Sequence, residues 1–258
     1  MGRIRSFLLV LFFIVFSQQG MSQTVCIVDS YQIKETRQVV SFIEKKLENF
    51  VEIPFSEFKK RKLKECSSLI LLGTPAVAKA LKENIKKRIV YSFVLFPEAL
   101  NLEKKQNFFG IRIIPLPQKT VEFFFNYTKL KKEKVALLVS DKTYEIAKNY
   151  IKRDSILKLV RLKKDYFSLE YKLLKYRYIF IFPDPYILKV LTLLKLLNFA
   201  KENKKVLITN LPDLGNYGIN FIYAVDLKEL SKKILDLLES NSSERILPCP
   251  AKVKRWSP

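Results

Sequence analysis

Along this chain, short unbroken apolar runs alternate with stretches in which apolar residues recur every three or four positions. The runs at 25–29, 51–54, 68–72, 89–95 and 109–114 form a first series of candidate strands. Those at 135–140, 156–162, 178–182, 206–209 and 219–225 form a second. Most are nearly continuous in Val, Ile, Leu and Phe, the pattern of parallel strands covered on both faces. Between them, Thr36, Val39, Val40, Ile43 and Leu47 fall on one helical stripe, as do Val77, Ala80, Leu81 and Ile85. Thr74-Pro75 reads as a helix start, with a hydroxyl cap followed by proline. Asp226 and Glu229 have capping-box spacing ahead of Leu227, Leu230, Ile234 and Leu237.

Strands alternating with helices predict an α/β fold with parallel sheets and right-handed crossovers. Two series of about five strands predict two Rossmann-like lobes, joined by a hinge at Ile114-Pro115-Leu116-Pro117. A single sheet of all ten strands is the alternative, and it would be about twice the usual size.

Upstream of the first strand, Arg3 and Arg5 precede an apolar run from Phe7 to Phe16 and then the small residues of Gly20-Met21-Ser22. Basic, apolar and small-residue zones in that order read as a cleavable secretory signal peptide over residues 1–22, cut near Ser22. A membrane span needs about 20 apolar residues, so an uncleaved anchor is the poorer reading. Cys26 follows Thr24-Val25 and lies well past the apolar run, which argues against a lipid anchor. The later apolar stretch 186–200 carries Lys189 and Lys195 and reads as a buried helix.

Composition narrows the chemistry. Of 258 residues, 48% are hydrophobic and 28% charged, as in a folded globular protein. The net charge is +22, but the lysines are scattered, as at Lys59-Lys60, Lys104-Lys105, Lys131-Lys132 and Lys204-Lys205. No arginine-rich arm, zinc-finger spacing or aromatic RNA-binding motif accompanies them, so a solvated basic surface is expected rather than nucleic-acid binding. Adsorption to anionic lipid headgroups stays compatible with that charge. The sequence has no histidine, which removes Ser-His-Asp and Cys-His catalysis and His-ligated metals. A binding protein without cofactor or metal is therefore expected in preference to an enzyme. Of three cysteines, Cys26 and Cys66 stand near the starts of two neighbouring strands. They are either a disulfide or two inert buried thiols.

In parallel α/β sheets, ligands meet the carboxyl ends of the strands. The candidate ligand-binding residues there are Ser30 and Tyr31; Gly73, Thr74 and Pro75; Ser92 and Phe93; Asp141 and Tyr144; Asp184; and Asn210 and Asp213. Hydroxyls, carboxylates and aromatic rings together suit a small polar solute with an apolar part. Ordinary capping and turn chemistry would place many of the same residue types in these loops.

The run Ser67–Leu81 with its Gly73-Thr74-Pro75-Ala76 turn, then Arg88–Pro97, then Gly110-Ile111, resembles the tryptophan/tyrosine type of ABC-transporter substrate-binding proteins. Lys134–Val139, Ile179–Asp184 and Tyr217-Gly218 extend the resemblance into the second half. It implies a periplasmic-binding-protein-like fold of the first class, whose lobes close at a hinge on a small solute such as an aromatic or other amino acid. It assigns 23–114 plus 224–241 to the first lobe and 115–223 plus 242–258 to the second, with the helix at 226–238 returning to the first lobe and a tail strand near Ala251–Trp256 to the second. The turn at Thr74 would receive a carboxylate, Ser92 a further hydrogen bond, Tyr31 or Phe93 the apolar part, and Asp141 or Asp184 an ammonium group. A monomeric periplasmic receptor serving an ABC permease in the inner membrane follows from the resemblance. Where the family has Ser-Asp before proline this chain has Leu95-Phe96, and Ser140-Asp141 stands in place of Asn-Pro. A basic cell-envelope interaction protein that keeps the fold without transport is the alternative.

Overall fold

The computed structural model describes residues 24–151, 155–162, 167–240 and 243–258; the expected signal peptide lies outside them. In chain order the elements are β1 (Val25–Asp29), α1 (Lys34–Glu44), β2 (Phe50–Glu52), β3 (Ser68–Leu72), α2 (Thr74–Lys82), β4 (Arg88–Ser92) and β5 (Phe108–Ile111). Then come α3 (Pro117–Thr128), β6 (Val135–Ser140), α4 (Tyr144–Asn149), β7 (Leu157–Leu162), α5 (Phe167–Leu174), β8 (Tyr178–Ile181), α6 (Val190–Glu202) and β9 (Val206–Thr209). The chain closes with β10 (Phe221–Val225), α7 (Leu227–Glu239), β11 (Ile246–Leu247) and β12 (Ala251–Trp256).

Two separate six-stranded sheets form, in the orders β11-β5-β4-β3-β1-β2 and β12-β10-β9-β8-β6-β7. Every neighbouring pair is parallel except β10 with β12. The fold is thus the two-lobed α/β architecture, and the single ten-stranded sheet is excluded. The pleat explains why the strands read as continuous apolar runs. On β1, Val25 and Ile27 join the core under α1 and α7, while Cys26 and Val28 join the core under α2. On β8, Tyr178 and Phe180 pack with α3, and Ile179 and Ile181 with α6. The inner strands bury both faces because helices cover both, while the edge strands β2, β11 and β12 are only partly buried.

Three crossovers join the lobes, at residues 112–116, 226 and 248–250. They are fastened to one another: the Asp226 N–H donates to the Pro250 carbonyl at 2.7 Å, the Arg112 N–H to that of Leu247 at 3.1 Å, and Lys252 pairs with Asp226 at 2.6 Å. Helix α7 returns to the first lobe through Leu230, Ile234 and Leu237. The short β11 pairs with β5, so residues 246–247 lie in the first sheet, although the sequence reading put all of 242–258 in the second lobe. Two residues of apolar sequence carry no strand signal; β11 exists because the edge of β5 offers it bonds. Strand β12 lies on β10, where Trp256 meets Phe124 and Phe221 edge to face.

Cys26 and Cys66 form a disulfide, with Cα atoms 5.6 Å apart. It joins β1 to the turn before β3, inside the core formed with Phe58 and Leu63.

Candidate functional site

The loop after β1 is shaped by the Asp29 carboxylate. It accepts the N–H groups of Tyr31 and Gln32, both at 3.0 Å, and the Thr36 hydroxyl at 2.7 Å. This turn brings Ser30 and Tyr31 against the start of α2. The Ser30 hydroxyl donates to the Leu72 carbonyl at 2.9 Å and accepts the Ala76 N–H at 3.3 Å, while the Tyr31 hydroxyl accepts the Thr74 N–H at 3.4 Å. Gly73, at φ 103°, makes this close approach possible: a Cβ there would sit 2.4 Å from the Ser30 hydroxyl oxygen and 2.9 Å from the Tyr31 ring. Gly73 caps α2, and Thr74 and Pro75 are its first residues, one position later than the hydroxyl-cap reading put them.

Ser30, Tyr31, Gly73 and Thr74 therefore make one contiguous surface at the carboxyl ends of β1 and β3. Its N–H groups are partly occupied by the chain's own hydroxyls. Tyr31 keeps 42% of its surface exposed beside them, whereas Ser92 and Phe93 turn inward. The Ser92 hydroxyl donates to the Ile111 carbonyl at 3.2 Å, and Phe93, at φ 59°, joins the core with Val90, Phe109 and Ile111. Pro75 is exposed.

In the second lobe Asp184 repeats the role of Asp29. Fully buried, its carboxylate accepts from the N–H of Ser140 at 2.7 Å, of Tyr186 at 2.8 Å and of Ile187 at 3.1 Å, and from the Thr143 hydroxyl. Burial alone would raise its pKa, but the Thr143 and Ser140 bonds and the further N–H groups outweigh burial and hold it below the ordinary carboxylate range. Asp141 is exposed and paired with Arg161, whose guanidinium lies 4.9 Å from the centre of the Tyr144 ring. Asn210 is buried at the hinge, donating to the Pro115 carbonyl at 3.2 Å and to the Thr120 hydroxyl at 2.8 Å. Asp213 lies exposed in the 212–217 turn after β9. Among the described residues, no group of three or more potential metal ligands converges.

Residues that the sequence reading left out of the site join the two lobes across the cleft. The Phe96 ring, after β4, stacks on Phe182, after β8, at 5.7 Å and 24°. Glu98, two residues on, pairs with Arg112 and accepts the Tyr150 hydroxyl at 2.7 Å. Burial would raise the Glu98 pKa, yet Arg112 and Tyr150 outweigh it and hold the carboxylate below its usual range; the Tyr150 hydroxyl is pushed up in turn by burial and by Glu98. These contacts show that the carboxyl ends of β4 and β8 face one another. Phe182 had a signal, since it directly follows β8, whereas Phe96 lies four residues past the end of β4. Glu98 and Tyr150, 52 residues apart, had none.

The sequence matches no protein-family model, and no curated protein matches it. Solved structures do match over nearly the whole chain. A ligand-free, open substrate-binding protein with adhesive properties from Clostridium difficile superposes with a TM-score of 0.69 at 12% identity, over 90% of this chain and 91% of that one. A conserved domain protein from Vibrio cholerae gives 0.57 at 14% identity, over 90% and 91%. An ABC domain from Streptococcus pneumoniae in complex with L-Trp gives 0.50 at 13%, over 89% and 88%. These likenesses define a periplasmic-binding-protein-like fold, two lobes facing across a cleft.

Proposed function

We propose that this chain is an exported solute-binding protein of an ABC importer, taking a small solute between its lobes and closing on it at the hinge. The observation that carries this reading is the surface of Tyr31, Ser30, Gly73 and Thr74 at the strand ends of one lobe, held opposite the other lobe by three short crossovers. A parallel two-lobed fold places ligands at such strand ends, and closure buries the solute by rotation about the crossovers. The exposed Tyr31 ring suits a solute with an aromatic or otherwise apolar part, and one structural neighbour holds L-Trp. The ammonium of an amino acid would be met by Asp141, or through the polar surround of Asp184, whose own carboxylate already holds four donors.

The test is thermal unfolding of the chain from residue 23 onward against a panel of all amino acids. An aromatic amino acid should raise the melting temperature, because a ligand at about 100 times its Kd stabilises the native state by about 2.7 kcal/mol. No shift across the panel would overturn the amino-acid form of this reading.

The second reading, an envelope interaction protein without transport, is favoured by the Phe96–Phe182 stack. It joins the two lobes through Phe96, a residue at which this chain departs from the family pattern. Constitutive binding to the cell envelope in the absence of any solute would support it.

A further inference from the structure

Helix α6 packs its inner side into the second lobe through Leu193, Leu196 and Phe199. Its first turns, in contrast, hold aliphatic side chains out in water. Val190 is 71% exposed, Leu191 75% and Leu194 44%. Across from them, on the turn after β9, Tyr217 is 53% exposed. A cavity of about 390 Å³ lies between these two elements, floored by Leu188, Leu193 and Leu214 with Asp213 at its rim. It shares Leu194, Asn216 and Tyr217 with a second cavity of about 520 Å³ that runs on past Lys201, Lys204 and Lys205.

The two cavities form one groove with an aliphatic end and a basic end. Helical geometry explains the polarity, since residues 191, 194, 198 and 201 fall on one stripe of α6 at 100° per residue. That stripe reads Leu, Leu, Asn, Lys, and Lys204 and Lys205 follow just past the end of the helix. Between residues 189 and 205 there are five lysines and one acid, Glu202. Lys205 is tethered to the Leu174 carbonyl at 2.7 Å, and Lys189 lies over the Tyr186 ring.

We propose that this face of α6 docks on a bilayer carrying anionic lipids, with Val190 and Leu191 entering the acyl boundary and Lys201 and Lys204 resting among the phosphates. The charge of the surface and the placement of the aliphatic residues select this occupant. A soluble polyanion would satisfy the lysines but leave Val190 and Leu191 in water. A neutral apolar partner would satisfy the leucines and leave the lysines facing nothing. A bilayer offers an apolar layer beneath an anionic one, in the same order as the stripe. The net charge of +22 adds attraction over the rest of the molecule. The proposal does not depend on the solute reading, whose panel test uses no lipid.

Co-sedimentation with vesicles separates the outcomes. Vesicles of phosphatidylcholine with about 30 mol% phosphatidylglycerol should retain the chain at least about tenfold more strongly than pure phosphatidylcholine at about 0.15 M salt. Val190→Asp with Leu191→Asp should lower retention about tenfold, with the circular dichroism spectrum unchanged because both side chains are exposed. Lys201→Glu with Lys204→Glu should lower it comparably, whereas Lys45→Glu with Lys46→Glu, an equal change of charge at the end of α1, should alter it less than about threefold. Equal retention on neutral vesicles overturns the proposal, and so does none on anionic ones. It is equally overturned if the two charge reversals weaken binding alike or the aspartate variant binds unchanged. In the last case, tight binding to heparin would assign the basic stripe to a soluble polyanion instead.

Discussion

Asp29 and Asp184 occupy equivalent places in the two lobes, each ending an apolar run and collecting N–H groups two and three residues ahead together with a threonine hydroxyl. An ionised carboxylate can be buried only when its oxygens are filled in this way. Asp184 is consequently a support for the loop as much as a ligand candidate. Replacing it with Asn should cost about 2–3 kcal/mol, since a charged acceptor is lost and a buried donor is left facing N–H groups. Because its pKa in the folded chain is depressed, its contribution is present above the unfolded value of about 3.9 and fades as pH falls through the folded value. Denaturant unfolding of wild type and Asp184→Asn should therefore differ most near neutral pH and converge only as pH falls through the depressed folded value, below the ordinary carboxylate range. A difference that persists into acid would show that the carboxylate charge is not what the loop relies on.

At the scale of elements, the first sheet carries a covalent tie that the second lacks among the described residues. The disulfide closes a loop with a sequence separation of 40, holding β1 to the turn before β3. In the chain-entropy picture a loop of that size is worth about 4 kcal/mol. Reduction, or Cys26→Ser with Cys66→Ser, should lower the melting temperature by several degrees, read by calorimetry. The change should be confined to the first lobe if the lobes unfold as separate units. The third cysteine, Cys249, sits in the last crossover with its thiol pushed up to about 12 by burial. It stays protonated at neutral pH and is a poor nucleophile toward the Cys26–Cys66 bond.

For the whole molecule the question is how freely the lobes move. Beyond the crossovers, the described contacts across the cleft include one aromatic stack and one polar cluster, Phe96 on Phe182 and Glu98 with Arg112 and Tyr150. Both hang on the segment after β4, so it acts as a strut between the lobes. Tyr150→Phe removes one hydroxyl from that strut and leaves the ring and the Glu98–Arg112 pair in place. Small-angle scattering should then show a larger or more variable radius of gyration, with a stability loss of about 1 kcal/mol. An unchanged scattering curve would mean that the crossovers alone set the lobe angle. The same measurement at low pH carries a sign: the Glu98 pKa is depressed in the folded chain, so the strut should weaken as pH falls below the carboxylate range.

Most of the architecture is legible in the sequence. Continuous apolar runs meant strands buried on both faces, the 3.6-residue stripes meant covering helices, and two prolines marked the hinge at Pro115 and Pro117. These signals are local, and local spacing survives in sequence because each element buries its own residues. The candidate site was legible only as a set of strand ends. Tertiary structure decided which of those residues stay exposed, as Tyr31 does, and which turn inward: Ser92 bonds Ile111, and Asp184 folds into its own loop. It alone also decided that β11 would fill the edge of the first sheet and that Glu98 would meet Tyr150 across the lobes. Those pairings join residues far apart in the chain. Their energy comes from complementary groups meeting in space, and no periodicity along the chain encodes such a meeting.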